Sequence, residues 1–156
     1  MDAKELSQIN LISKIKDLKL LDYQITETVP ASLVGKFDKD KVQFEFNIGI
    51  RVDVVKKTIT ISLNTQLFSD DQKSIKLGFI NSEGEFEILN LDEILSAFDH
   101  KLPNMILANY TGIVIGTTRG FLITISKDTL MEGIFMPMIN PLSLFSQPTE
   151  INKTKE

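Results

Sequence analysis

Apolar and polar residues alternate without a break through KVQFEFNIGIRVDVV: Val42, Phe44, Phe46, Ile48, Ile50, Val52 and Val54 against Gln43, Glu45, Asn47, Gly49, Arg51 and Asp53. Side chains change face at every residue of a strand, so this parity predicts one long strand buried on a single face. KKTITISLNTQLF repeats the pattern, with Ile59, Ile61, Leu63 and Leu67 on one side and Thr60, Ser62, Asn64 and Gln66 on the other. The short link Val55–Thr58 joins the two runs as a hairpin, although it lacks the favoured Asn-Gly pair. A polar turn, SDDQ, precedes a third run.

The third run changes parity. Ile75, Leu77 and Phe79 are odd, whereas Phe86 and Ile88 are even. A continuous strand would turn one set toward water, so a residue must be inserted between them. Asn81–Gly84 is the expected place, as a bulge in preference to a turn. Upstream, Leu6, Ile9, Ile12 and Ile15 suit a helix, and LKLLDYQIT favours a strand toward residue 26. TVPASLVGKFDKD reads as a connector, marked by Pro30, Gly35 and two aspartates. The expectation is four strands, antiparallel because their links are short.

The period then lengthens. LDEILSAFDHK fits one or two helical turns, and a longer helix is expected from Pro103 to about Thr118, with Gly120 as its stop. Gly112 and Gly116, four apart, share a face of that helix. Each costs a helix about 1 kcal/mol relative to alanine, a cost that makes sense where something approaches the bare backbone. Plain packing of helix on sheet is one such contact, and a helix of a second subunit is another. FLITISKDTLMEGIFMPMINPLSLF is broken by Gly133, Pro137 and Pro141 and reads as extended. The tail 146–156 is polar and expected to be disordered. The fold class is therefore α+β: a four-stranded antiparallel sheet followed by a long helix packed on one face, in a single domain over residues 1–145.

Composition narrows the chemistry. The 156 residues carry a net charge of −4, which argues against nucleic acid as a partner. Cysteine is absent, so thiol catalysis and cysteine-held zinc are excluded. The N-terminal sequence lacks the uninterrupted apolar run of a secretory signal. Met105–Gly116 falls short of the roughly 20 apolar residues of a membrane span. A soluble, cytoplasmic protein is expected. His100 has no motif around it, and the pairs Asp38/Asp40, Asp70/Asp71 and Asp92/Glu93 lie in turns or at a helix start, where acidic residues serve as caps. Neither a phosphate-binding glycine loop nor a metal set is present, so no cofactor, no metal and no enzyme activity are expected.

Two surface features remain. Glu83, Glu85 and Glu87 project to one side of the third run, as a solvated face or as a docking strip for a basic partner. Of ten phenylalanines, Phe37, Phe68, Phe98, Phe135 and Phe145 lie in or beside loops. They either seal the ends of the sheet or line a groove for apolar ligands.

Four antiparallel strands followed by a long helix that opens Leu102-Pro103-Asn104 and closes Arg119-Gly120 resemble the SecB export chaperone family. Gly84-Glu85-Phe86 at the expected bulge and Asn140-Pro141-Leu142-Ser143-Leu144-Phe145 add to the likeness, which spans roughly residues 10–145 in order of elements. The resemblance implies an ATP-independent holdase for unfolded polypeptide, cytoplasmic and assembled as a homotetramer of two dimers, which hands clients to the SecA motor. It implies a client groove bordered by Phe37, Phe68, Leu77, Phe79, Phe86, Phe98, Phe135, Leu142 and Phe145. The subunit interface would fall on Tyr110, Gly112, Ile113, Gly116 and Thr117, and an acidic docking strip on Asp22, Glu83, Glu85 and Glu87. The family's last helix is shortened or lost here, and Thr60, Ser62, Asn64 and Gln66 leave part of the outer face uncharged. A scaffold protein or a toxin–antitoxin chaperone with one specific partner is the alternative, and an apolar-ligand carrier a third.

Overall fold

The computed structural model describes residues 10–145; Leu6, Ile9 and the tail 146–156 lie outside the described residues. Four strands form one antiparallel sheet: β1 (Ser13–Ile25), β2 (Gln43–Asp53), β3 (Thr58–Phe68) and β4 (Lys76–Ile88). Their spatial order is β1-β4-β3-β2. The three hairpin-linked strands are thus closed by a long connection from β1 to β2, a Greek-key arrangement. A short helix, α1 (Leu91–Ala97), leads into the long helix α2 (Asn104–Ile125). Ile12 and Ile15, expected in a helix, lie beside and within β1, where Ile15 pairs with Phe86.

The β2–β3 hairpin has the expected parity. Its register runs unbroken from Asp53 opposite Thr58 to Gln43 opposite Phe68. Phe44, Phe46, Ile48, Ile50 and Val52 share a face with Leu67, Thr65, Leu63, Ile61 and Ile59.

The inserted residue of the third run exists but sits earlier than expected. Leu67 stands opposite Gly78 and Phe68 opposite Lys76, which leaves Leu77 as the bulge. From Gly78 to Glu87 the register is regular, so Asn81–Gly84 is ordinary strand. Even residues of β4 then face the core, and Ile80, fully buried, takes the place expected for Phe79. Gly78 is required beside the bulge because a Cβ there would lie 2.2 Å from the Gln24 carbonyl oxygen of β1. That cross-strand contact is invisible in the local sequence.

The helix meshes with β4 residue by residue. Phe86 packs on Tyr110 with ring centroids 4.4 Å apart. A Cβ on Gly84 would meet Val114 Cγ2 at 2.7 Å. Ser82 and Thr118 share a hydrogen bond of 2.6 Å between hydroxyls. Four helical residues advance about 6.0 Å and two strand residues about 6.8 Å, so i+4 on α2 and i−2 on β4 stay nearly in step. The helix therefore runs antiparallel to β4 with β3 and β1 on either side.

Gly120 does not stop α2, which continues to Ile125. Gly120 faces outward, while Leu122 in the next turn is buried. The 22-residue helix is long and apolar enough to cross a membrane by length and composition, with half of that stretch buried inside the fold. The length argument made on Met105–Gly116 therefore fails, and what α2 covers is the sheet. Beyond α2 the chain passes through turns over 126–133 and then irregular chain to a 3-10 turn at Pro141–Phe145.

Gly84 is the tightest point of this packing. Gly84→Ala should cost about 1–3 kcal/mol, the usual penalty for overfilling a packed core. Urea denaturation of Gly84→Ala, Val114→Ala and the double variant should show the second change recovering part of that loss, since the two atoms are in contact.

Candidate functional site

The two faces of the sheet differ in what they leave unsatisfied. On the outer face, Lys14 of β1 pairs with Glu87 at 2.7 Å, Lys16 with Glu85 at 3.4 Å and Lys19 with Glu83 at 3.4 Å. The Lys14 ammonium bonded to Glu87 holds that carboxyl below its ordinary range. The expected acidic strip is thus an ion-pair ladder, built by cross-strand neighbours that the linear sequence separates by about seventy positions. Alongside it, Asn81 donates to Asp22 at 2.6 Å, Asn64 to Asn81 at 2.5 Å and Gln66 to Asn64 at 3.1 Å. The uncharged row is a chain of amides that satisfy one another.

The expected groove residues do not come together. Leu77, Phe86, Phe98 and Phe145 are buried in the core. Phe68 and Phe79 lie on the outer face, each beneath a lysine, Lys73 and Lys76 respectively. Phe37 is half-buried in the connector. Only Phe135, 69% exposed, and Leu142, 44% exposed, present open apolar surface on the chain after α2. The split follows from parity: a strand cannot show Phe79 and Phe86 on one face when one is odd and the other even.

Sequence reasoning missed the apolar residues of β2. Phe44, Phe46, Ile48 and Ile50 lie on the helix side of the sheet and are only partly buried, at the rim of the core, because α2 lies over β4 and its two neighbours. The rings of Phe44 and Phe46 are parallel to within 7°. At one end of β2 the connector and the chain after α2 frame a depression of about 420 Å³ lined by Lys39, Val42, Phe44, Ile134, Phe135 and Pro137. Lys39 donates to the Glu132 carbonyl and ties these two segments. The signal was present in the alternation itself, which promised more apolar faces than one helix covers.

The interface candidates also divide. Tyr110 points into the core against Phe86. Gly112 faces Pro141 of the same chain, whose Cγ lies 3.2 Å from where a Cβ would be. Gly116 has nothing within 4 Å of its Cβ position. Ile113 and Thr117 flank it on the outward side, with Met105 and Ile123 exposed farther along.

In two of the acidic pairs one aspartate serves the backbone. Asp38 accepts from Asp40 N at 3.0 Å, and Asp70 accepts from both N and Oγ of Ser74. The Ser74 N–H is what holds the Asp70 carboxyl below its usual value. Asp92 pairs with Lys57 at 2.7 Å. Among the described residues no cluster of three or more His, Asp or Glu could hold a metal ion.

No family model matches the chain, and no curated protein matches it. Among solved structures it is similar to the Rv1957 SecB-like chaperone of Mycobacterium tuberculosis, in complex with a ChAD peptide from the Rv1956 HigA1 antitoxin. That likeness has a TM-score of 0.52 at 15% identity, covering 81% of this chain and 86% of the other. The fold is SecB-like. A protein of unknown function from Streptococcus agalactiae matches at a TM-score of 0.43 and 10% identity, over 83% of this chain and 100% of the other. In this SecB-like fold exposed apolar side chains lie on β1 (Ile15, Leu21, Tyr23), on the outward side of α2 (Met105, Ile113, Ile123) and on the chain that follows it (Phe135, Met138, Leu142), while the β2 row is half-buried at the rim of the core.

Burial pushes the Tyr110 phenol above its ordinary value. The folded state favours the neutral ring, so this contribution is complete below the unfolded value of about 10 and is lost as pH rises through the folded one. Urea midpoints measured from pH 8 to 11 should fall for the native chain, and Tyr110→Phe should flatten that fall.

Proposed function

We propose that the protein is an ATP-independent chaperone that holds extended, unfolded polypeptide on the helix side of its sheet. The observation that carries this reading is the half-buried apolar row Phe44, Phe46, Ile48 and Ile50 at the rim of the core, continued by the exposed Phe135, within a SecB-like fold. Phe135, 69% exposed, extends the apolar surface beside Phe44. Affinity would come from non-directional apolar contact at about 25 cal/mol per Å² removed from water, which accepts many sequences. Such capture breaks no bond, so the reading is of a binder and not of an enzyme.

The finer parts of the proposal follow from the family resemblance: a cytoplasmic homotetramer that serves protein export. In that assembly the outward face of α2, with Ile113, Gly116 and Thr117, would meet another subunit. Docking of SecA on Asp22, Glu83, Glu85 and Glu87 would require a partner that displaces Lys14, Lys16 and Lys19 from those carboxylates. A second reading, a chaperone dedicated to one antitoxin, is favoured by the antitoxin peptide in the complex of the Mycobacterium tuberculosis neighbour.

Two outcomes test the proposal. Light scattering from an aggregating, chemically unfolded client should fall by more than half at equimolar protein, and Phe46→Asp should restore much of it. Unchanged scattering with the native chain sinks the general holdase, whereas capture of a single antitoxin alone favours the dedicated one. For the assembly, Gly116→Leu should lower the mass seen by multi-angle scattering. Its thermal stability should hold or rise, because the position touches nothing within its own chain and a helical glycine costs about 1 kcal/mol. An unchanged mass removes the outward face of α2 from the interface.

A further inference from the structure

Residues 137–145 lie against α2 in a way no other segment does. The chain turns back after the helix and runs antiparallel to it, from Arg119 past Gly112 to Asn104. Arg119 Nη2 donates to the Pro137 carbonyl at 2.7 Å, and Asn104 Nδ2 donates to the Phe145 carbonyl at 2.7 Å. Between these ends Pro141 rests on Gly112, where a side chain would crowd it. Met136 and Phe145 are buried at the two ends, while Met138, Leu142 and Leu144 between them stay exposed. Among the described residues no main-chain hydrogen bond joins 135–145 to the sheet or to α2.

We propose that this segment is a built-in stand-in for a client: it occupies the flank of α2 between Arg119 and Asn104 and leaves when an extended apolar polypeptide offers its own carbonyls to those two side chains. The inference rests on the holdase reading and names how that site is gated. Both grips are side-chain donors taking main-chain carbonyls, a group every residue carries, so they hold extended chain without reading its sequence. The apolar stretch MPMINPLSLF carries two prolines, and apart from the short 3-10 turn at Pro141–Phe145 it joins no helix or strand. The resident also leaves a grip incompletely used. Arg119 Nε is buried without an acceptor, while Nη2 alone is engaged. Two carbonyls of one extended chain can occupy both nitrogens of that fork.

The chain contains no cysteine, so Gly112→Cys with Pro141→Cys creates one pair that can form only where the segment crosses α2. The sulfur introduced at 141 takes the place of Pro141 Cγ, 3.2 Å from the new Cβ at 112. Binding of fluorescently labelled, reduced and carboxymethylated α-lactalbumin should be at least tenfold weaker to the oxidised double variant than to its reduced form. The reduced form should bind at least as tightly as the native chain. Kd values within twofold of each other in the two redox states overturn the gate and make the segment a fixed wall. Absence of binding by the native chain and by both forms instead overturns the holdase reading beneath it. Hydrogen exchange on the native chain provides a second measure should the double variant misfold. Amides of 137–145 should exchange faster when the same client is added, and added protection there contradicts displacement.

Discussion

The structure depends on how closely α2 sits on β4. At Gly84 the missing side chain admits Val114, and on either side Phe86 meets Tyr110 and Ser82 meets Thr118. This mesh fixes the helix over one strand. A helix is about 10 Å across, whereas the outer strands of a four-stranded sheet lie about 14 Å apart. One helix seated on β4 can reach β3 and β1 but cannot seal β2. The incomplete burial of Phe44, Phe46, Ile48 and Ile50 is therefore a geometric consequence of where Gly84 stands.

The opposite face shows the reverse logic. Its charges and amides find partners across the strands, so little remains there to attract a polar partner. Exposed pairs of this kind add little to stability, too little to explain the fold but enough to saturate the surface. The three lysines also line β1, an edge strand interrupted by two register shifts, at Ile15/Asp17 and Leu20/Asp22. Lysines and bulges are common protections for an edge that would otherwise recruit another strand. β2, the other edge, has an uninterrupted register and an apolar inner face.

Local periodicity made the β2–β3 hairpin legible, because strict alternation has one solution. It also revealed that the third strand needs an extra residue. Its position was not legible, since the choice between Phe79 and Ile80 as the inward residue depends on Gly78 passing under the Gln24 carbonyl of β1. The glycines misled for a related reason. Gly112 and Gly116 advertise a close approach through their spacing, yet the helix–sheet contact uses Gly84, a lone glycine in a strand. Gly120 looked like a stop, but a glycine ends a helix only when the packing beyond it is worth less than the turn. Leu122, almost fully buried, keeps α2 going. For the surface, the sequence showed three glutamates in alternation and could not show the lysines that face them, because pairing of β1 with β4 is a property of topology.

The segment after α2 matters because of what it lacks. An intramolecular occupant acts as if present at an effective concentration in the millimolar range for a short tether. A segment that added a fifth strand to β2 would gain a ladder of main-chain bonds and exclude any competitor. Residues 137–145 make two side-chain grips, rest Pro141 on Gly112 and bury Phe145, with no main-chain bond to sheet or helix among the described residues. That arrangement keeps the apolar flank of α2 covered in the absence of a client, which limits self-association. It also leaves the cover weak enough for a longer chain to win, because such a chain adds the partly buried row of β2 to the same two grips. The prolines at 137 and 141 favour this balance, since neither supplies a main-chain N–H to a strand ladder.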